Sequence, residues 1–175
     1  MAIHNTRILP VALAAVIAGA GFAGSANADT IVRTEFIMPT HNCQAALPVF
    51  DTAIRKRPLG YQNEGTSPTF VTCGLMGANA AAPLVTLAGL FLRNNTDADI
   101  SVDCTFVDAG DSFNTPVYVP RSVTLPASSS SSLIAWDASD NGGSAFVYPS
   151  ISCALPPGTG ITATAYQFPE EIGTL

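Results

Sequence analysis

Apolar and polar side chains alternate most clearly along residues 99–107 of this chain. One set is apolar and the other is polar, and this period of two predicts a β-strand with one buried and one wet face. Cys104 belongs to the apolar, inward-facing set. Residues 146–155 alternate in the same way towards their end and place Cys153 inward, whereas Pro149 marks the first half as an edge or a separate short strand.

The other apolar stretches are also of strand length, and helix signals are poor. Residues 44–57 form the best helical candidate, but they contain Pro48 and have room for only one short turn. The remaining predicted strands are 30–38, 68–75, 84–93, 117–125, 133–136 and 160–168.

Polar breakers separate these strands. Residues 94–97, Asn-Asn-Thr-Asp, predict a hairpin connection. The five serines at 128–132 predict the exposed end of a second hairpin, because too few residues follow them to form another core. Many short strands at this spacing predict a single all-β domain, an antiparallel β-sandwich with little or no helix.

The first 28 residues have the pattern of a secretory signal peptide. Arg7 precedes an apolar run at 8–23, and Ala26-Asn27-Ala28 supplies the small-x-small site that signal peptidase reads. The run is short for a bilayer span and is interrupted by Pro10 and several glycines. We therefore expect cleavage after Ala28, a mature domain at 29–175 without membrane insertion, and a periplasmic or extracellular location.

Acidic residues outnumber basic ones. The whole chain has 13 acidic against 7 basic side chains and a net charge of −6. Loss of residues 1–28 removes Arg7 and no acid, so the mature domain is more negative still. Such a domain repels phosphate backbones, and nucleic acid is therefore excluded as an expected partner. The one basic cluster, Arg55-Lys56-Arg57, is interpreted as a solvated patch.

Four cysteines, Cys43, Cys73, Cys104 and Cys153, lie in the mature domain. An even number in an exported chain predicts two disulfides. There is no C-x-x-C pair and His41 is the only mature histidine, so we expect neither a metal site nor a cofactor. Four cysteines allow three pairings, among which we favour Cys43–Cys73 with Cys104–Cys153.

The segment Gly110-Asp111-Ser112-Phe113 resembles the opening block of the GDSL hydrolases, in which the serine is the nucleophile. A nucleophilic serine needs a base and a group that orients the base. The D-x-x-H block that supplies both in that family is missing here, and His41 lies far upstream. We therefore predict no catalytic residues and keep a GDSL-like hydrolase as a distant alternative.

Trp136, Asp137, Asp140 and Asn141 are the candidate ligand-binding residues of the sequence. An aromatic ring beside clustered oxygen acceptors is typical of sites that stack a sugar and bond its hydroxyls. The competing interpretation places Trp136 in the core, because lone tryptophans in sandwiches are usually buried and the apolar residues 133–135 lead into it. We predict burial.

The layout resembles that of small exported proteins of Gram-negative bacteria that have no characterised function. The shared features are an early Cys43-Gln44, the cysteine strands around Cys73 and Cys104, and a late cysteine strand that runs from Cys153 into Leu-Pro-Pro-Gly-Thr-Gly-Ile, with Tyr166 beyond. This resemblance implies an exported sandwich with two disulfides and no assigned activity.

A second resemblance is to pilus subunits assembled by chaperone and usher, which are incomplete sandwiches completed by a neighbour's strand. Residues 30–38 match such a donor strand, but the four cysteines and the lack of a tyrosine near the end depart from that family. The sequence thus predicts a non-enzymatic structural or binding protein whose partner is an unknown protein or glycan. A pilin-like assembly subunit is the alternative.

Overall fold

The structure, a computed structural model, describes residues 29–47, 53–75, 84–110 and 115–172. The predicted signal peptide lies outside these residues. Within them the chain forms two antiparallel sheets packed face to face, and the predicted β-sandwich is confirmed. No helix of the described residues is both long and apolar enough to span a membrane. The elements are β1 Asp29–Ile37, α1 Pro39–Asn42, β2 Cys43–Ala45, β3 Ile54–Arg57, β4 Gly60–Asn63, β5 Thr69–Gly74, β6 Leu87–Asn94, β7 Ile100–Asp108, β8 Val117–Leu125, β9 Ser132–Asp137, β10 Pro149–Leu155 and β11 Thr159–Ile172.

The strands are connected as in a jelly roll. Sheet A has the order β3-β4-β11-β6-β9, with β1 also paired to β11, and sheet B has the order β2-β5-β10-β7-β8. From β4 onward every connection crosses between the sheets except the one from β7 to β8. The two four-stranded layers β4-β11-β6-β9 and β5-β10-β7-β8 thus interleave along the chain, which defines the jelly-roll arrangement.

Two asparagines build the crossings from β4 to β5 and from β6 to β7. The Asn63 amide donates to the carbonyls of Ser67 and Leu155, both at 2.8 Å, and its Oδ1 accepts from Gly65 N at 2.9 Å. Asn94 repeats the pattern with Ala98 and Thr96. Each loop is therefore held by hydrogen bonds to a buried side-chain amide and does not form a tight turn.

The hairpin prediction for residues 94–97 is wrong for this reason, because β6 and β7 lie in different sheets. The serine-rich connection at 128–132 likewise joins sheet B to sheet A and is not a hairpin end. Sequence breakers locate a connection, but the pairing of distant strands decides which sheet the next strand enters.

The helical interpretation of residues 44–57 is also wrong wherever this stretch is described. The short helix lies earlier, at Pro39–Asn42, and the described parts of the stretch are the strands β2 and β3. The basic cluster forms β3, which pairs with β4, and β4 pairs in turn with β11 through Gly160 and Ile161. Tertiary pairing with a strand a hundred residues away overrides the weak local preference.

Both predicted disulfides are confirmed. Cys43 pairs with Cys73 across β2 and β5, and Cys104 pairs with Cys153 across β7 and β10. In each case the Cα atoms are 4.0 Å apart and the side chains are buried in the core. The bridges therefore staple neighbouring strands of sheet B and do not link the two sheets.

Strand β1 corresponds to the predicted strand at 30–38. It pairs residue for residue with the second half of β11, from Asp29 opposite Ile172 to Ile37 opposite Thr164. Sheet A therefore obtains this strand from its own chain, whereas a pilus subunit obtains a strand from a neighbour.

Candidate functional site

Trp136 lies in the core, as the sequence predicts. Its side chain is 1 % exposed, and its ring stacks on Phe106 with centroids 5.7 Å apart. The indole N–H donates to the carbonyl of Val119 at 3.0 Å, which satisfies its only polar atom. A ring placed in this way has no open face on which a sugar could stack.

Asp137 and Asp140 cap a single 3-10 turn at Ala138–Asn141. The Asp137 carboxylate accepts from the backbone N–H of Ser139 at 2.8 Å and from its hydroxyl, and Asp140 accepts from the backbone N–H of Asp137 at 3.0 Å. The hydrogen bond from the Ser139 hydroxyl lowers the pKa of Asp137 most, and the bond from the Ser139 backbone N–H lowers it further. Both carboxylates are therefore committed to local structure.

Arg121 connects this turn to the core. It lies on β8, at the edge of sheet B, and its guanidinium donates to Asp140 Oδ1 at 2.8 Å and to the carbonyl of Ala135. The guanidinium carbon lies 5.5 Å from the centre of the Trp136 ring. Because β9 forms the edge of sheet A, Arg121 bridges the two sheets where the sandwich would otherwise be open.

Asn141 lines a separate cleft of about 540 Å³ at one end of the sandwich. Asp108, on the same cleft, is buried and accepts from the backbone N–H groups of Val147 and Tyr148, so its carboxylate already has partners. The four candidate residues of the sequence therefore do not converge on one site.

The remaining sequence candidates do not form a catalytic or metal centre in the described structure. His41 is exposed on α1, and Asp111, Ser112 and Phe113 lie outside the described residues. Among the residues that are described, no group of three or more histidine, cysteine, aspartate or glutamate side chains is placed to hold a metal ion.

A second candidate surface is the outer face of sheet B. The strand register aligns Phe70, Ala154, Asp103 and Ser122 in one row across β5, β10, β7 and β8. The next row contains Gln44, Thr72, Ser152, Thr105 and Pro120, and the third contains Gly74, Ser150, Val107 and Tyr118.

The middle of this face is a shallow trough of about 320 Å³. Its floor consists of small side chains on the central strands, Ser152, Ala154 and Thr105, which project only a short way from the sheet. Phe70 stands on one side and Pro120 on the other. Three interstrand steps separate β5 from β8, so the trough is about 14 Å wide, enough for a short chain of ring-shaped units.

Exposed rings flank the trough. Phe70 is 59 % exposed, and Tyr118, which lies two residues before Pro120 on the outer face of β8, is 62 % exposed. Aromatic rings of this size are usually buried, and rings that remain on a surface above polar groups are typical of ligand-binding faces. They lie on opposite sides of the small-residue floor.

The polar side chains that face the trough are hydroxyls with one carboxylate, and Arg121, which also lines it, has its guanidinium paired with Asp140. Thr72 Oγ1 donates to Ser152 Oγ at 3.2 Å, and the Ser122 hydroxyl donates to Asp103 Oδ1. Asp103 is the only charged side chain that faces outward from the described strands of sheet B. Protein surfaces normally have a much denser mixture of charges, so this face is unusually neutral.

Sequence reasoning missed this trough because, of the four strands that form it, only β7 and β8 follow one another in the chain. The alternation within β8 does place Tyr118, Pro120 and Ser122 on one face. Nothing local, however, indicates that Phe70 on β5 shares that face through β10 and β7.

Comparisons with known proteins assign no family. No family model matches the chain, and no curated protein matches it. Among solved structures it is similar to the C-terminal family 6 carbohydrate-binding module of the laminarinase LamC from Zobellia galactanivorans, with 10 % identity, coverage of 78 % of this chain and 99 % of the other, and a TM-score of 0.37.

A family 11 carbohydrate-binding module from Clostridium thermocellum, in complex with a β-1,3-1,4-mixed-linked tetrasaccharide, is 13 % identical. This match covers 88 % of this chain and 93 % of the other, with a TM-score of 0.34. With TM-scores this low, the likenesses assign neither a family nor a ligand to this chain.

Proposed function

We propose that this protein is an exported, non-catalytic binding module that holds a neutral glycan in the trough on the outer face of sheet B. The observation that carries the proposal is the trough itself: a floor of small side chains, exposed Phe70 on one side, exposed Tyr118 close to Pro120 on the other, and Asp103 as the one charged side chain that faces outward from these strands.

A neutral glycan matches the chemistry of this surface. A sugar ring has apolar C–H faces that pack on an aromatic ring, and hydroxyl groups around its rim. The hydroxyls of Thr72, Thr105 and Ser152 donate and accept hydrogen bonds, and the Asp103 carboxylate accepts them. Anionic polymers suit the site less well, because the surrounding domain is acidic.

Binding fits the trough better than catalysis does. Acid–base cleavage of a glycosidic bond uses two carboxyl groups about 5–10 Å apart across the scissile bond. Asp103 is the one carboxylate that the described strands present on this face, and its partner is the hydroxyl of Ser122. The trough therefore offers a place for a chain of sugars to lie, without a pair of groups to cleave it.

Export is consistent with the same function. The predicted signal peptide and the two disulfides suit an oxidising compartment, where glycans of the cell surface or the surroundings are within reach.

Affinity electrophoresis in gels that contain neutral polysaccharides, followed by calorimetry with the matching oligosaccharide, tests this function. Phe70→Ala and Tyr118→Ala should each weaken binding by about five- to tenfold, the effect of losing one ring contact of about 1 kcal/mol or slightly more. Both rings are exposed, so the variants should keep the stability of the parent.

Leu133→Ala is the matched control. Leu133 is 51 % exposed on the outer face of sheet A, so the substitution removes a similar exposed side chain on the opposite side of the sandwich. Retardation by none of the neutral polysaccharides, or equal losses for Leu133→Ala and Phe70→Ala, would contradict the proposed function.

A further inference from the structure

Strand β1 forms an unpaired edge of sheet A. Within the described residues its nine positions pair with β11 on one side and with no strand on the other. An edge of this length presents a row of backbone donors and acceptors to any strand that approaches, and proteins usually shorten, cover or interrupt such edges or place charges on them. β1 contains no proline or glycine, and its two central charges, Arg33 and Glu35, are of opposite sign.

The sequence of β1 is complementary to itself about Thr34. When a second copy of the strand runs antiparallel with Thr34 opposite Thr34, Arg33 lies opposite Glu35 and Val32 lies opposite Phe36. Ile31 then lies opposite Ile37. On either side of Thr34, each residue from 31 to 37 thus meets a partner of opposite charge or of like apolar character, and each of these pairs occurs twice because the arrangement is symmetric.

We propose that two copies of this chain associate edge to edge through β1, antiparallel about a two-fold axis at Thr34. The two A sheets then form one continuous sheet across the dimer. The surface involved is the edge of sheet A, so the proposal does not depend on glycan binding in the trough of sheet B.

Neighbouring registers are disfavoured by charge. A shift of the pairing by two residues in one direction places Arg33 opposite Arg33, and the same shift in the other direction places Glu35 opposite Glu35. Like charges directly opposite each other destabilise a strand pair. The register about Thr34 is the one among these three that replaces repulsion with two attractive pairs.

The two faces of the new sheet support the same register. On the outer face, Val32 and Phe36 are 67 % and 65 % exposed, and the Phe36 ring lies 5.9 Å from that of Phe91. Pairing covers each Phe36 with the Val32 of the other copy and extends an apolar surface that already exists. Apolar side chains grouped on a surface in this way are typical of association sites.

On the other face, the charged side chains already have partners within their own chain. Arg33 forms an ion pair with Glu170, and the Tyr166 hydroxyl donates to the Glu35 carboxylate. Arg33 therefore stands between an acid of its own chain and the Glu35 that the second copy would bring. The ordering cost of this contact is reduced because both side chains are fixed before association.

Sedimentation velocity over a range of protein concentrations, at low salt, tests the dimer. The parent chain should dimerise, and Arg33→Glu should raise the dissociation constant by about tenfold or more, because two attractive pairs become two repulsive ones. Glu35→Arg should do the same. The double variant Arg33→Glu/Glu35→Arg restores opposite charges and should dimerise again, and an equimolar mixture of the two single variants should form heterodimers.

Arg57→Glu is the matched control, because it reverses a charge and breaks an exposed ion pair, that with Glu64, on β3. It should leave the dissociation constant unchanged. A monomeric parent chain at high micromolar concentration, or a dimer that is indifferent to the charges at positions 33 and 35, would overturn the proposal.

Cysteine cross-linking tests the register. The four native cysteines are all in disulfides, so Thr34→Cys introduces the only thiol of the described chain. Oxidation should then join the introduced thiols of the two copies and yield a covalent dimer, whereas Thr30→Cys, which would face Met38, should not. Efficient cross-linking at position 30 and none at position 34 would contradict the two-fold axis at Thr34.

Discussion

Replacement of Trp136 by alanine should be among the most damaging single changes in this domain. The substitution deletes a fully buried ring that stacks on Phe106 and leaves the carbonyl of Val119 without its donor. Removal of a large core aromatic typically costs about 3–5 kcal/mol. Trp136→Phe keeps most of the volume and loses the hydrogen bond to the half-buried Val119 carbonyl, so it should cost about 0.5–1.5 kcal/mol, the net value of one hydrogen bond.

Urea unfolding monitored by circular dichroism measures the loss of stability in both variants. Fluorescence is unsuitable because the variants lack the only tryptophan. Leu133→Ala, three residues earlier on the same strand but half exposed, serves as the control and should cost less than about 1 kcal/mol. If Trp136→Ala and Leu133→Ala were equally mild, the core position of the ring and its pairing with Val119 would be refuted.

Three further outcomes are expected, two from the structure and one, the cleavage before Asp29, from the sequence. Removal of the Cys104–Cys153 bridge by a double alanine substitution should cost about 4 kcal/mol, because the bridge closes a loop with a sequence separation of 49 residues. Removal of Cys43–Cys73, with a separation of 30, should cost slightly less, and chemical denaturation of the two variants ranks the losses. Because the Ser139 hydrogen bonds lower the pKa of Asp137 below its usual 3.8, ionised Asp137 stabilises the fold above that pH, and this contribution is lost as the pH falls through the lowered pKa. Ser139→Ala should therefore make the free energy of unfolding fall less steeply as the pH is lowered through the acid range. An unchanged pH dependence would contradict the assignment. Mass spectrometry of protein recovered from its native compartment should give Asp29 as the first residue and four fewer hydrogens than the reduced chain, and retention of residues 1–28 would rule out the cleavage.

The sequence predicts the strands well where one strand alone carries the signal. The alternation around Cys104 and Cys153 fixes which side chains face inward, and the structure confirms both the strands and the disulfide between them. The burial of Trp136 follows from the apolar residues that precede it, for the same local reason.

What the sequence does not predict depends on distant pairing. The strands β3 and β4 are short, and a single basic cluster fills most of β3, so nothing local favours a strand until β4 meets β11. The crossings at Asn63 and Asn94 resemble hairpin turns in sequence because the same residue types serve both. The trough is hidden for the related reason that Phe70 and Tyr118 are brought to one face only by β10 and β7.

If the outer face of sheet B binds a neutral glycan, amide chemical-shift mapping during titration with a neutral oligosaccharide will show it residue by residue. The largest shifts should fall on Phe70, Thr72, Thr105, Tyr118 and Ser152, while the outer face of sheet A and the cleft at Asn141 stay unchanged. Shifts centred on Asn141 or on the outer face of sheet A, or none with any neutral glycan that the gels select, would contradict the proposed function.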